Sequence, residues 1–276
     1  MLETTRIMTG KVTPALSGPA VGEAEAEAMD RLDRVRGIGG MKAALLALLL
    51  SPALPRRLRI WREETAALPE AEEVRADVER LGRTTRLPWF ELLLARMGAS
   101  PLQERQALLR SARRVLGPPG QPIDRLLWLA MRRQFGEHPD PKAHVTPDPD
   151  VSRLTIAEVL HVAHFSAHLA RMVPSEDPTQ GQLWYQVVMS RWLKPAETPP
   201  WQRPDVDALV HALNGLQLMS WMQRPQVVRT WVAAAKQITP GALDPVAADA
   251  LRLSSLLLDS PMPPDLARQY AEVDPD

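Results

Sequence analysis

Cysteine is absent from this 276-residue chain. Its absence removes disulfides, thiolate metal sites and cysteine nucleophiles together, and leaves the redox compartment open. Aromatic residues are scarce at 5%, with 3 Phe and 2 Tyr beside 8 Trp. A core with so few rings has to be built from Leu, Ala, Val and Met, which suits helices packed on helices better than β-sandwiches. Net charge is missing as well, because 33 Lys+Arg face 33 Asp+Glu. Residues 1–140 carry 22 basic and 18 acidic side chains and residues 141–276 carry 11 and 15, a split of +4 against −4. So mild an imbalance gives no electrostatic footprint for nucleic acid, which is not expected as a partner.

Long apolar runs are also lacking. The nearest approach, Ala43 to Leu50 behind Met41-Lys42, is 8 residues, against the ~18 of a membrane span. It would pass for a short secretory signal if translation began at Met41, but it lies 40 residues inside the chain. We read it as a core helix stopped by Pro52, with no membrane span and a cytoplasmic location. Catalytic signatures are missing too: no His-Glu-x-x-His, no phosphate-binding loop, no Gly-x-Ser-x-Gly and no Gly-x-Gly-x-x-Gly. Gly37-Ile38-Gly39-Gly40 has no strand before it. No enzyme activity, catalytic residue or cofactor is expected.

What is present is helix punctuation. The chain has 27 Pro and 14 Gly among 45% hydrophobic residues, a pattern of short, sharply ended helices. Apolar spacing predicts helices over 29–36, 41–50, 55–68, 70–81, from Pro88 to 97, from Pro101 to 116, 122–135, 155–172, 182–193, 206–219, 226–236 and 246–258. Segment 70–81 is so charged that a solvated helix is expected. Nothing alternates as a strand would. The fold class is therefore all-α, in two helical lobes: a disordered or weakly ordered tail over 1–28, an N-terminal lobe over 29–136, a Pro-rich linker over 137–150 and a C-terminal lobe over 151–272. An internal duplication is suggested by Pro101 and Gly117, which bracket one helix as Pro225 and Gly241 bracket another at the same offset of 124.

The segment EVLHVAHFSAHLARM, 158–172, concentrates three of the six histidines. On a helical projection Ile156, Val159, Leu160, Ala163, Ala167 and Ala170 share one arc and Val162, Phe165 and Leu169 another, so the helix reads as buried. His161, His164 and His168 fall between the arcs. Neighbouring pairs can chelate one ion, but His161 and His168 stand roughly 10 Å apart along the axis, at about 1.5 Å per residue. A closed site needs outside ligands, and the histidines available are His138, His144 and His211. These three helix histidines are the metal candidates. The competing expectation is a helix–helix seam whose imidazoles pair with carbonyls or carboxylates, with Glu158 bonding to His161.

Arginine outnumbers lysine 28 to 5. Arg56, Arg57 and Arg59 cluster on one helix and Arg110, Arg113 and Arg114 on another, with Glu63, Glu64 and Glu104 available to pair with them. These arginines, with Trp221 and Trp231, are the partner-binding candidates, because Trp and Arg dominate interface hot spots.

Three stretches are familiar. The C-terminal "DALVHALNGLQLMSWMQRPQVVRTWVAAAKQITPGALDPVAADALRLSSLLLDSPMPP" resembles the soluble helical end of HtpX-like membrane zinc metallopeptidases. So do "MKAALLALLLSPALPRRLRIW" and "RLPWFELLLARMGASPLQERQALLRSARRVLGPPGQPIDRLLWLAMRRQF" for the parts before it, a region similar to the TerB-like modules of tellurite-resistance proteins. The likeness spans roughly residues 40–135 and 205–265 and rests on helix pattern and turn placement. The peptidase half and its zinc motif have no counterpart in it, and the turns at Leu116–Gly120 and Ile238–Gly241 lack the acidic residue such modules often carry. The resemblance implies a helical interaction module without its enzyme. The expected function is a non-enzymatic scaffold or regulatory protein that binds a protein partner, with homo-oligomerisation open. The alternatives are a metal-responsive TerB-like stress protein using the helix histidines, and a nucleic-acid-associated protein using the arginine helices.

Overall fold

The computed structural model describes residues 22–51, 53–118, 120–136 and 153–270. Among them the proline punctuation sets where helices begin. α3 (Pro55–Thr65), α7 (Pro122–Phe135), α9 (Pro178–Met189), α12 (Pro245–Leu257) and α13 (Pro264–Ala267) each have proline in the first turn, where its missing N–H costs nothing. α8 (Ile156–Leu169), α9, α10 (Val206–Leu218) and α12 are capped by Thr155, Asp177, Asp205 and Asp244, whose side chains accept backbone N–H bonds. The remaining helices are α1 (Glu23–Arg34), α2 (Ile38–Ala47), α4 (Ala71–Arg80), α5 (Arg83–Gly98), α6 (Leu102–Leu116) and α11 (Gln223–Ile238). One 3₁₀ turn lies at Pro195–Glu197. There is no strand among the described residues. The fold is all-α.

Three local expectations shift. Residues 23–28, read as the end of a tail, are the first turns of α1, because Ala28 and Leu32 are buried and Glu25 accepts bonds from the Gly82 amide at 2.7 Å and the Thr85 hydroxyl at 2.5 Å. α5 begins at Arg83 rather than at Pro88, which sits inside the helix. α4 is not solvated all round: Ala71, Val74, Asp77 and Val78 are buried as it packs against α1 and α2, and Arg31 reaches across to Asp77 at 2.8 Å. The segment 137–150, read as a linker, lies outside the described residues, as do His138 and His144.

The buried apolar side chains form one connected cluster from Leu32 on α1 to Leu266 on α13. α7 is the element shared by the two halves of the chain. It packs on α5 and α6 from the first half and along α12 from the second. Polar contacts follow the same seam. Arg252 on α12 meets Glu91 on α5 through two bonds of 2.7 Å, and Arg133 near the end of α7 donates to the carbonyls of Leu256 and Leu257 and pairs with Asp259. Within the second half α8 lies against α10 and α9, and α11 against α9 and α12.

Candidate interaction surface

The histidine helix α8 is started by a capping box. The Thr155 hydroxyl accepts from the Glu158 amide at 3.3 Å, and the Glu158 carboxylate accepts from the Thr155 amide at 2.7 Å. Glu158 therefore serves the helix end, not His161 as its spacing suggested. Thr-Ile-Ala-Glu over 155–158 is the sequence signature of such a box, which the reading of Glu158 as a partner of His161 passed over.

The three helix histidines occupy three different environments. His168 is buried at 3% exposure and its Nε2 lies 3.2 Å from the carbonyl of Pro122 at the start of α7. Burial, and then the nearby Arg171 charge, hold its pKa down at about 4, so the ring is neutral at pH 7 and donates that bond. His161 is half-buried against α10, where its ring meets His211 edge-on at 5.1 Å. A Cβ on Gly215 would stand 2.2 Å from that ring, so only glycine lets the imidazole in. Burial, with the neighbouring imidazoles His211 and His164, lowers the pKa of His161. His164 is exposed. The fold thus brings together His161 and His211, one of the outside candidates, with the exposed His164 one turn further along α8, and sets His168 apart on the Pro122 carbonyl. No group of three or more His, Asp and Glu side chains is placed to hold a metal ion among the described residues.

Two of the partner-binding candidates are corrected. Arg57 is only 4% exposed; it pairs with buried Asp124 on α7 and donates to the Leu49 carbonyl at 3.0 Å, so it joins helices instead of facing solvent. Trp231 is fully buried, stacked on Phe165 at 5.5 Å, with its Nε1 donating to Ser166 Oγ at 2.8 Å. Trp184 in turn donates to the Trp231 carbonyl at 3.0 Å, so the two indoles lock α8, α9 and α11 together. Arg114 is exposed but paired with Glu63 and Glu64. Arg56, Arg59, Arg110 and Arg113 are exposed on α3 and α6, which pack side by side.

Trp221 is the candidate that stands out, 73% exposed at the turn between α10 and α11. It is not alone. Leu218 and Met222 beside it are 53% and 48% exposed, and Ile156 and Leu160 on the first turns of α8 are 79% and 41% exposed. α8 and α10 run antiparallel, His168 lying near Leu209 and His161 against Gly215, which puts the start of α8 beside the end of α10. Gln223 Nε2 ties the turn to that end of α8 by donating to the Arg153 carbonyl at 3.3 Å. Five large apolar side chains thus share one end of the molecule. Ile156 and Leu160 were assigned to the buried arc of α8, but of that arc only Val159, Ala163, Ala167 and Ala170 are covered. The signal for the rest was the run Leu-Met-Ser-Trp-Met over 218–222, apolar where a turn between helices ought to be polar.

No helix among the described residues is long and apolar enough to cross a membrane. Comparison with protein-family models, with curated proteins and with solved structures gives no match.

Proposed function

We propose that the protein is a non-enzymatic helical scaffold or regulatory module that docks a partner protein on the apolar end formed by Ile156, Leu160, Leu218, Trp221 and Met222. The observation that carries this is the exposure of Trp221 at the end of the molecule where Ile156, Leu160, Leu218 and Met222 are also exposed. A lone exposed Leu needs no explanation, but a cluster centred on Trp marks an interaction site. The occupant that fits is a partner helix or extended segment with an apolar face, Met222 and Leu218 adapting around a rigid indole. The likeness of helix pattern and turn placement to the soluble region of HtpX-like peptidases supports the same reading, an interaction module apart from its enzyme.

A photo-crosslinking amino acid placed at position 221 tests it, with the exposed Glu73 on α4 as control. The expected result is a discrete adduct from position 221 in native cells, identified by mass and then purified. Trp221→Ala is expected to weaken binding to that purified partner by ~30-fold, the ~2 kcal/mol of an interface hot spot. An adduct with a second copy of the chain assigns the surface to self-association. Position 221 crosslinking no better than position 73 overturns the proposal.

A further inference from the structure

At the other end of α8 lies a site that the interaction surface does not use. Arg125 on α7, Arg171 just past α8 and Arg203 in the loop before α10 come together over His168, with the Pro122 backbone as floor. The positions are 46 and 32 residues apart in sequence, so no local motif announces them. Arg171, Arg203 and Pro122 continue outward into a second cleft of about 390 Å³, also lined by Trp201, Pro178 and Glu176. The inner recess, about 10 Å³, admits one atom-sized group such as a ligand oxygen or a water. The outer cleft falls within the volume range of small-molecule sites.

Three guanidiniums gathered with no ion pair to a carboxylate among the described residues are costly for a fold. Arg125 is disfavoured by burial and then by the Arg203 charge, and Arg171 by burial and then by Arg203 and Arg125; among the described residues no carboxylate offsets either. Asp205 lines the recess, but its Oδ1 accepts from the Ala208 amide at 2.7 Å as the cap of α10. Elsewhere in the molecule arginines are freely paired with carboxylates, as Arg252 is with Glu91 and Arg31 with Asp77. Helix dipoles add to the charge. Arg125 and Arg203 sit at the starting ends of α7 and α10, where a cation is disfavoured and an anion welcomed. Neither position helps the fold. Neutral His168 pins α8 to the start of α7 through Pro122 and so fixes Arg171 and Arg125 relative to each other. Trp201 is fixed as well, its Nε1 donating to the Ala167 carbonyl at 3.2 Å.

We propose that this cleft binds a phosphomonoester, its phosphate held by Arg125, Arg171 and Arg203 and its organic body lying against Trp201, Pro122 and Pro178. A phosphomonoester carries about −1.5 to −2 at pH 7 and three acceptor oxygens, one for each guanidinium fork, where a carboxylate offers one charge and two oxygens. The apolar wall favours an organic phosphate with a flat body over the bare ion.

Isothermal titration in chloride buffer tests it with three probes: inorganic phosphate, a nucleoside 5′-monophosphate and benzoate. The nucleotide is expected to bind at least ~10-fold tighter than either other probe, and Arg203→Gln or Arg171→Gln to weaken it ~10-fold or more, as the loss of a charge-assisted hydrogen bond does. Without phosphate, the same variants are expected to unfold at the wild-type temperature or higher, because they relieve repulsion; a merely structural arginine would lower it. Trp201→Leu is expected to abolish the preference for nucleotide over phosphate. The proposal is overturned if neither phosphate nor nucleotide binds at millimolar concentration, or if Arg203→Gln binds as wild type does. Benzoate equal to the nucleotide overturns the phosphate assignment, and inorganic phosphate equal to it overturns the role given to Trp201.

Discussion

Side chains that look alike in the sequence take different duties here, and the difference is where each one's polar atoms go. Arg57 and Arg59 are neighbours on α3, yet one is buried against Asp124 and the other is exposed. Trp221 and Trp231 lie ten positions apart, yet one is the most exposed aromatic at the turn and the other is fully covered. Composition and local spacing cannot separate such pairs, because the deciding partner (Asp124 for Arg57, Ser166 for Trp231) lies far along the chain. His168 gives the sharpest consequence. Its folded pKa, about 4, lies below the ordinary 6.5, so the unfolded chain binds the extra proton between those values. Its contribution is fully present above pH 6.5 and is lost as pH falls toward 4, by roughly 2–3 kcal/mol at pH 4.5. Urea unfolding of wild type and His168→Gln at pH 7.5 and 4.5 checks this. The wild type should lose more stability on acidification than the variant by about that amount, and equal losses would contradict the buried neutral imidazole.

Helices were the legible layer. Proline at first turns, aspartate and threonine before them and a 3.6-residue apolar period are local facts, so α3, α7, α10 and α12 fall within a few residues of their expected bounds. What misled was exposure. The charge of α4 concealed four covered positions, and the apolar first turns of α8 concealed two uncovered ones. Charge and apolarity set what a face tolerates, while neighbouring helices decide which face is covered. Glycines mark the closest crossings. In α9, a Cβ on Gly181 would fall 1.8 Å from the Ala170 carbonyl oxygen at the end of α8, a backbone atom with little room to yield. On propensity alone Gly181→Ala should stabilise the helix by ~0.5–1 kcal/mol. The crossing reverses that sign, and thermal unfolding is expected to show a net loss of about 1–3 kcal/mol, the cost of overpacking. A stabilised variant would mean that α8 and α9 are not held at this distance.

At the scale of the molecule, the all-α class was readable and the sites were not. The phosphate cleft draws on α7, the end of α8 and the loop before α10; the apolar end draws on α8 and the α10–α11 turn. Both depend on the antiparallel pairing of α8 with α10, a long-range fact that no window of sequence contains. The joint apolar cluster also predicts how the chain comes apart. With α7 and α12 packed along each other and Glu91 bridged to Arg252, the two halves should melt together. Tryptophan fluorescence and far-ultraviolet circular dichroism are expected to trace one coincident urea transition. Two separated transitions would show halves that fold independently.

The meeting point of Arg133 with Leu256 and Leu257 carries this further. Gln217 also donates to the Leu257 carbonyl at 2.8 Å and Arg224 to the Leu258 carbonyl at 3.0 Å, so side chains from α7, α10 and α11 all terminate α12. Cutting the gene between residues 136 and 153 would leave a first fragment whose last arginine has nothing to grip, and a second whose last long helix frays from an open end. Such fragments are better suited to complementing each other when co-expressed than to standing apart.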